Sequence, residues 1–283
     1  MPDLPDLELR RTSTEPDLPP PPSRPGSVWF AVALLVAAGA AAGYFAFVRR
    51  QPLAPAPTKS AAAPSASSAS PPLGGKGDPI TLPPLDASDT LVRTLVQALT
   101  ESRAVMTWLP TTGLIRNFTV VVANIADGGT PAKQLKVLRP QGPFRIMPRA
   151  SATVVDPRSY DRYSTIADAV ASVDPAGAAR LYATLKPRIE DAHRDLGSAD
   201  TFDHTLERAI VALLNTPAID GSEALKPKGK GIGYGYADER LESLTPAQKQ
   251  LLRMGPRNVR VIKAKLRDIA LALGIPPAHL PAS

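Results

Sequence analysis

The feature that most constrains this chain is an uncharged apolar run near its N-terminus. Residues 28–48 read VWFAVALLVAAGAAAGYFAFV and contain no charged side chain over 21 residues. A helix rises about 1.5 Å per residue, so this run covers about 30 Å, the thickness of a bilayer's hydrocarbon core. Trp29 lies at one end and Tyr44 and Phe47 at the other, as in an interfacial aromatic belt. The run from Val28 to Val48 is therefore predicted to be a transmembrane helix.

A cleaved signal peptide is the alternative interpretation of this run. The apolar region of a signal peptide is roughly 7–15 residues long and follows a short basic start. Here the run is longer, and the 27 residues before it contain more acidic than basic side chains. The sequence therefore favours an uncleaved anchor. Gly39 and Gly43 have the spacing of a close-packed helix pair, which suggests dimerisation, although alanine-rich anchors also contain such pairs by chance.

The orientation of the anchor is not decided by its flanking charges. Three Lys or Arg residues lie in the twenty residues before the run and three in the twenty after it. Long domains cross the membrane largely regardless of charge, so we expect the C-terminal domain to lie outside the cytoplasm. The opposite orientation stays open because the immediate flank, Arg49 and Arg50, is typical of a cytoplasmic C-terminus.

The distribution of proline divides the rest of the chain. Seventeen of the 32 prolines lie in residues 1–84. Residues 1–27 are predicted to be a disordered tail. Residues 49–84 are rich in proline, alanine and serine, and no apolar periodicity gives them a face to bury, so we predict an extended linker. Residues 85–283 contain the periodic apolar sets and are predicted to form one domain, long enough to bury a core.

Signals for helices dominate this domain, so the predicted fold class is mainly α with minor β content. Asp174 and Pro175 mark one helix start, and Thr245 with Gln248 forms a capping box at another. Residues 135–146 contain two short apolar pieces around a turn-like RPQGP, which predicts a small hairpin. Helices are predicted over 89–99, 114–125 (with a strand open at 119–122), 159–173, 175–196, from 201 or 203 to 214, 246–254 and 256–273.

No catalytic motif stands out in this sequence. The chain has no cysteine, which excludes disulfides, thiolate zinc sites and a cysteine nucleophile. Four glycines alternate between Gly229 and Gly235, but no strand precedes them, so we predict a flexible loop rather than a phosphate-binding loop. His204 and Glu207 share a helix face, yet with His193 they supply only a loose ligand set for zinc. We predict no catalytic residue, cofactor or metal.

The charge of the chain is concentrated near its C-terminus. The formal net charge is +7, and residues 246–283 hold seven basic side chains against one acid, Asp268. A localised basic face favours anionic partners, although a solvated helix face is the simpler interpretation. The candidate anion-binding residues are Arg253, Arg257, Arg260, Lys263 and Arg267. On the last helix Val259, Ile262, Leu266, Ile269 and Leu273 recur at helical spacing and are predicted to be buried.

Three stretches of the domain resemble a known family. They are YDRY at 160–163, LYATLKPRIEDAHRDLG at 181–197 and LESLTPAQKQLLRMGPRNVRVIKAKLR at 241–267. The chain resembles the uncharacterised bacterial membrane-anchored proteins catalogued as domain of unknown function number 3014. Residues 247–256 are the most specific part of this resemblance. It implies an envelope protein of Gram-negative type, with the span in the inner membrane and the domain in the periplasm, and it implies no activity or cofactor.

These observations lead to one functional hypothesis and two alternatives. We favour a non-enzymatic, single-pass inner-membrane protein whose helical domain binds an anionic envelope protein, lipid or wall polymer. The first alternative is an envelope hydrolase with unrecognised acidic catalytic residues. The second is a cytoplasm-facing nucleic-acid binder, because the last two helices have the outline of a helix-turn-helix. We disfavour the second because a domain outside the cytoplasm meets no DNA.

Overall fold

The computed structural model describes residues 71–98, 100, 102–131, 133–134, 136, 139–221, 223–229 and 233–282. The tail, the apolar run with Gly39 and Gly43, and the linker up to residue 70 lie outside these ranges, so their assignments stay predictions. Within the described ranges, none of the helices is both long and apolar enough to span a bilayer.

The described part of the chain is mainly helical, as predicted, with a small antiparallel sheet. The ten α-helices of the described residues are α1 (Asp89–Gln97), α2 (Arg103–Trp108), α3 (Leu114–Ala126), α4 (Arg158–Asp161), α5 (Ser164–Ala171), α6 (Pro175–Asp195), α7 (Phe202–Leu214), α8 (Glu239–Glu242), α9 (Pro246–Leu252) and α10 (Pro256–Leu273). The strands are β1 (Ile146–Arg149), β2 (Ala152–Val155), β3 (Ala224–Lys228) and β4 (Gly233–Tyr236). Short 3-10 helices form at Leu85–Ala87 and Pro277–His279.

The predicted helix starts are present because local side chains satisfy the free N–H groups of the first turn. The Asp174 carboxylate accepts from the N–H of Gly177 at 2.8 Å, and Thr245 and Gln248 form the predicted capping box of α9. Helix α10 begins after Gly255 and ends at Gly274, whose φ of 90° allows the left-handed turn. The ambiguous segment at 119–122 is helical and belongs to α3.

The core of the domain is built around α10. Its predicted stripe, Val259 to Leu273, is buried and packs against α5, α6 and α7. Helix α3 also packs against α6 and α7, and Phe118 meets Phe202 there with ring centroids 5.5 Å apart. Apolar periodicity at 3.6 residues therefore identified the buried faces correctly.

Three predictions of secondary structure in the domain were wrong in detail. Residues 159–173 form two helices, α4 and α5, and not one. The observed hairpin lies farther along the chain than 135–146: its strands are Ile146–Arg149 and Ala152–Val155, paired from Ile146 with Val155 to Arg149 with Ala152. Of the first predicted piece, 135–138, only Lys136 is among the described residues. The supposed loop at 226–235 lies mostly in β3 and β4, which pair from Leu225 with Tyr236 to Lys228 with Gly233. Glycine and lysine are uncommon in strands, so the composition of this segment predicted a loop. It forms strands because the folded chain places it beside other strands.

The sheet has the order β1-β2-β3-β4, so β1 is an edge strand. Residues 141–151, which contain β1 and its turn, are exposed throughout; we call this segment the arm. Its apolar side chains Phe144, Ile146 and Met147 are 47%, 37% and 41% exposed. Apolar groups left in water on a projecting segment are typical of contact surfaces.

Residues 71–84, assigned to the linker from the sequence, lie against the domain; we call them the strap. Leu73 is buried, and the N–H of Gly74 donates to the carbonyl of Leu273 at 2.8 Å. The N–H of Asp78 donates to Thr184 Oγ1 at 2.8 Å, and Arg188 Nε donates to the carbonyl of Pro83 at 2.7 Å. These contacts stabilise an extended segment that has no periodic apolar face of its own.

Candidate functional site

The junction between α9 and α10 is a tight turn held by a tyrosine from the α4 segment. Gly255 has a φ of 89°, and a Cβ added there would lie 2.4 Å from Cγ of Tyr160. The Tyr160 hydroxyl donates to the carbonyl of Gly221 at 3.3 Å, and Asn258 Nδ2 donates to the carbonyl of Tyr160 at 3.1 Å. Burial, aided by the charge of Glu223, raises the pKa of Tyr160 to about 12. The phenol therefore stays protonated as a hydrogen-bond donor.

Arg253, immediately before this turn, points toward the sheet. It lines an open groove together with Phe144, Val155, Leu225, Tyr234, Gly235 and Tyr236. Among the described residues, no carboxylate lies within ion-pair distance of its guanidinium. Burial raises the pKa of Tyr163, and the charges of Arg162 and Arg253 act in the opposite direction. Arg253 is thus a half-buried cation beside aromatic side chains, with its donors open to an anion.

A second cation, Arg162, lies beside the groove. Arg162 Cζ lies 5.8 Å from the ring centroid of Phe144 and 5.3 Å from that of Tyr163, within the range of a cation–π contact. The chain between Asp127 and Asp156 contains no acidic residue. In that stretch the basic residues are Lys133, Lys136, Arg139, Arg145 and Arg149.

The other four predicted anion-binding residues do not share one environment. Arg257 pairs with Asp168 at 3.1 Å, with both side chains exposed. Lys263 Nζ donates to the carbonyl of Thr216 at 2.7 Å, and burial, followed by the charge of Arg267, lowers its pKa. Arg267 donates to the carbonyl of Pro281. Arg260 is exposed on α10. The structure thus brings Arg253, Arg257 and Arg260 toward one end of α10 and uses Lys263 and Arg267 to anchor neighbouring loops.

Two carboxylates near the sheet, Glu242 and Asp156, are held by their own cations, whereas Glu223, directly before β3, has no cation partner among the described residues. Although burial acts in the opposite direction, hydrogen bonds from Lys228 and from the N–H of Tyr236 lower the pKa of Glu242 to about 2. Asp156 accepts from Arg158 Nη2 at 2.6 Å. Because these acids are already paired, they do not neutralise Arg253.

The histidines considered as metal ligands are separated in the structure. His204 pairs with Asp200 at 2.6 Å, and Glu207 pairs instead with His279 at 2.7 Å. His193 is buried against Thr205, with 3.3 Å between Nε2 and Oγ1. Within the part of the chain that the structure describes, no three potential ligands converge on a metal-sized site. Neither exposed histidine pair lines the groove.

Sequence reasoning missed the groove itself. Its wall consists of Phe144 from the arm and Tyr234 and Tyr236 from β4. The available signal was the Gly-Tyr-Gly-Tyr alternation at 233–236, since a period of two places both tyrosines on one face of a strand. Nothing in the sequence predicted that these aromatic side chains would lie beside Arg253, because the segments are far apart along the chain.

Comparison with known proteins identifies a family and gives no functional precedent. Two of the stretches that resemble the family are in contact in the structure: Tyr160 of YDRY packs against Gly255, near the end of the stretch 247–256. No curated protein and no solved structure matches the chain. The model of the family described as "Protein of unknown function (DUF3014)" matches residues 114–270, more than half of the chain. This match and the motifs together show that the chain belongs to the DUF3014 family.

Proposed function

We propose that this protein is a single-pass inner-membrane protein whose helical domain binds an anionic partner in the bacterial envelope without catalysing a reaction. The observation that carries the proposal is the set of cations at the Gly255 end of α10. Arg253 lacks a carboxylate partner among the described residues. Arg257 forms an exposed ion pair with Asp168 and donates to Asn258 Oδ1. Exposed ion pairs contribute little to stability, so an incoming anion can replace this one at low cost.

The position of the strap supports presentation to a partner away from the bilayer. The strap meets α10 at Leu273, whereas Arg253 and Gly255 precede its first residue. Eighteen helical residues separate the two ends by about 27 Å. The proposed anchor therefore connects to one end of α10 and the cationic groove lies at the other.

The basic surface predicts a salt-dependent loss of binding on charge reversal. We expect full-length protein carrying R253E, R257E and R260E to retain envelope partners about tenfold less than the parent at 0.1 M salt. The three charges act over a screening length of about 10 Å, which falls to about 3 Å at 1 M salt. High salt should therefore reproduce the mutant phenotype. The measurement is a pull-down from solubilised envelopes, quantified by mass spectrometry.

A matched variant tests whether net charge alone is responsible. Reversal of Arg103, Arg194 and Arg208, which are exposed elsewhere on the domain, changes the charge by the same amount. In this control Arg194 pairs with the half-buried Asp191 and Arg208 pairs with the exposed Asp127, as Arg257 in the test set pairs with Asp168. We expect the control to retain partners like the parent. Equal retention by both triple variants would show that the surface is only solvated.

The proposed anchor predicts the topology of the protein. We expect alkaline phosphatase fused to the C-terminus to be active and a fluorescent protein at the same position to be dark, since the span exports the C-terminal domain. Phosphatase folds in an oxidising compartment, whereas the cytoplasm keeps thiols reduced. Active phosphatase at the N-terminus and inactive enzyme at the C-terminus would reverse the orientation and favour the nucleic-acid binder instead.

A further inference from the structure

We propose that the groove beside Arg253 binds an acidic, apolar peptide segment of the partner, with one carboxylate of that segment paired to the Arg253 guanidinium. This inference rests on the proposed function, because it names the part of the surface and the chemistry that recognise the partner. The groove is a depression in the small sheet module, bounded by the arm on one side and β4 on the other.

The first argument is the state of Arg253. A guanidinium has five N–H donors in a fixed fork that fits a carboxylate. Among the described residues, Arg253 neither forms an ion pair nor lies within ion-pair distance of Glu242 or Asp156, which are held by Lys228 and Arg158. A half-buried guanidinium loses hydrogen bonds to water, and within the described part of the chain Arg253 forms no ion pair in their place. An external carboxylate can therefore form a strong, charge-assisted pair with it.

The second argument is the size and lining of the groove. The volume of this open groove is about 30 Å³, which fits one or two water-sized groups or a single carboxylate. The walls around that space are the side chains of Phe144, Val155, Leu225 and Tyr234. A small, mainly apolar depression with one guanidinium in its wall fits an acidic side chain flanked by apolar ones, which a wall polymer does not supply.

The third argument is the charge of the rim. The arm lies in the acid-free stretch between Asp127 and Asp156, and Arg162 lies over the Phe144 ring. Arg162 Nη1 also donates to the carbonyl of Gly142 at 3.1 Å, which holds the base of the arm. Arg253 and Arg162 attract an acidic segment. The exposed Ile146, which lies opposite Val155 on the groove face of the sheet, buries an apolar side chain, so the surface is complementary in charge and polarity.

Strand addition at β1 is not the mode of binding that this edge favours. The N–H of Asp156 donates to the carbonyl of Arg145 at 3.1 Å, and bonded pairs alternate along an antiparallel ladder. The backbone groups of Ile146 and Pro148 therefore face the open edge, where Pro148 has no N–H to donate. The peptide is held by side chains in the groove, and its recognition depends on Arg253.

The test measures peptide binding to the full-length protein in nanodiscs of zwitterionic lipid. The probe is a fluorescein-labelled 12-residue peptide that alternates Asp or Glu with Leu or Phe. Its control has Asn and Gln at the acidic positions. We expect the acidic peptide to bind about tenfold more tightly than the amide peptide, in keeping with one charge-assisted pair. R253Q should remove that difference, and R253K should restore part of it.

The matched control is the double variant R257Q/R260Q, which removes more charge but leaves the groove intact. We expect its affinity for the acidic peptide to fall about threefold or less, through weaker long-range attraction. R253Q should unfold at the same temperature as the parent, since Arg253 forms no ion pair among the described residues. A loss of binding in R253Q is then a loss of recognition.

Four outcomes would overturn the inference. They are an affinity for the acidic peptide weaker than about 1 mM, equal affinity for the amide peptide, unchanged binding by R253Q, and binding to phosphatidylglycerol vesicles but not to the peptide. If R257Q/R260Q loses binding and R253Q does not, the exposed face of α10 is the site and the proposed function still stands. If the triple charge reversal also retains every partner, the proposed function fails as well.

Discussion

Replacement of Gly255 by alanine is expected to lower the free energy of unfolding by about 4 kcal/mol, which is the largest effect of a glycine-to-alanine substitution that we predict. The backbone there has a φ of 89°, which costs a residue with a side chain about 1–3 kcal/mol. The new Cβ would also lie 2.4 to 2.7 Å from three atoms of Tyr160, and overpacking of this kind costs about 1–3 kcal/mol more. The measurement is the free energy of unfolding by denaturant.

Gly274 at the other end of α10 is the matched control for this substitution. Its φ is 90°, but a Cβ added there meets nothing within 4 Å. Gly274 is in the left-handed helical region at ψ 16°, whereas Gly255 is extended at ψ 162°. Gly274→Ala therefore gives the cost of a positive φ without a steric clash, which we expect to be about 1 kcal/mol. Equal losses in the two variants would show that the close approach of Tyr160 to the α9–α10 turn is not what requires glycine.

Asp203→Ala is expected to cost about 3 kcal/mol and to release the strap. The Asp203 carboxylate accepts from the hydroxyl of Tyr182 and from Lys186 Nζ, and from the N–H of Leu73 at 3.1 Å. Tyr182 is fully buried, and burial together with Asp203 raises the pKa of its phenol. Without Asp203, a buried O–H and a partly buried ammonium lose their acceptor, which costs several kcal/mol.

Two measurements separate the local from the global effect of this change. Limited proteolysis should cut the strap at residues 71–84 sooner in Asp203→Ala than in the parent, and the denaturation midpoint should fall. Asp200→Ala is the control, because Asp200 forms an exposed pair with His204 that contributes about 0.5 kcal/mol. A strap that stays protected in Asp203→Ala would show that Thr184 and Arg188 hold it without Asp203.

Local signals predicted the helical part of the domain well. The apolar stripe of α10, the Asp174 cap and the capping box at Thr245 are all present, because each depends on residues within one or two turns of the chain. The sheet was predicted poorly. Strands β2 and β3 pair between Thr153 and Leu225, and a pairing across that much sequence leaves no periodic signal in either strand.

The binding residues show the same division between local and tertiary information. The sequence identified a run of cations on the last two helices. Their separate roles depend on what each side chain meets: Lys263 reaches the carbonyl of Thr216, Arg257 meets Asp168, and Arg253 faces β4. No spacing rule along the last two helices distinguishes the anchoring Lys263 from Arg253, which is open to an anion, because the group that each side chain meets lies elsewhere in the chain.

The sequence alone determined the periodic helices, their caps and the membership of a family that the motifs at 160–163 and 247–256 indicated. These features are encoded in short segments, where composition and spacing suffice. Tertiary structure alone decided that residues 71–84 pack on the domain, that 224–228 and 233–236 form strands, and that Arg253 lies in an aromatic groove. Each of these depends on contacts between segments far apart in sequence, and the free energy of such contacts arises only when the folded chain brings the segments together.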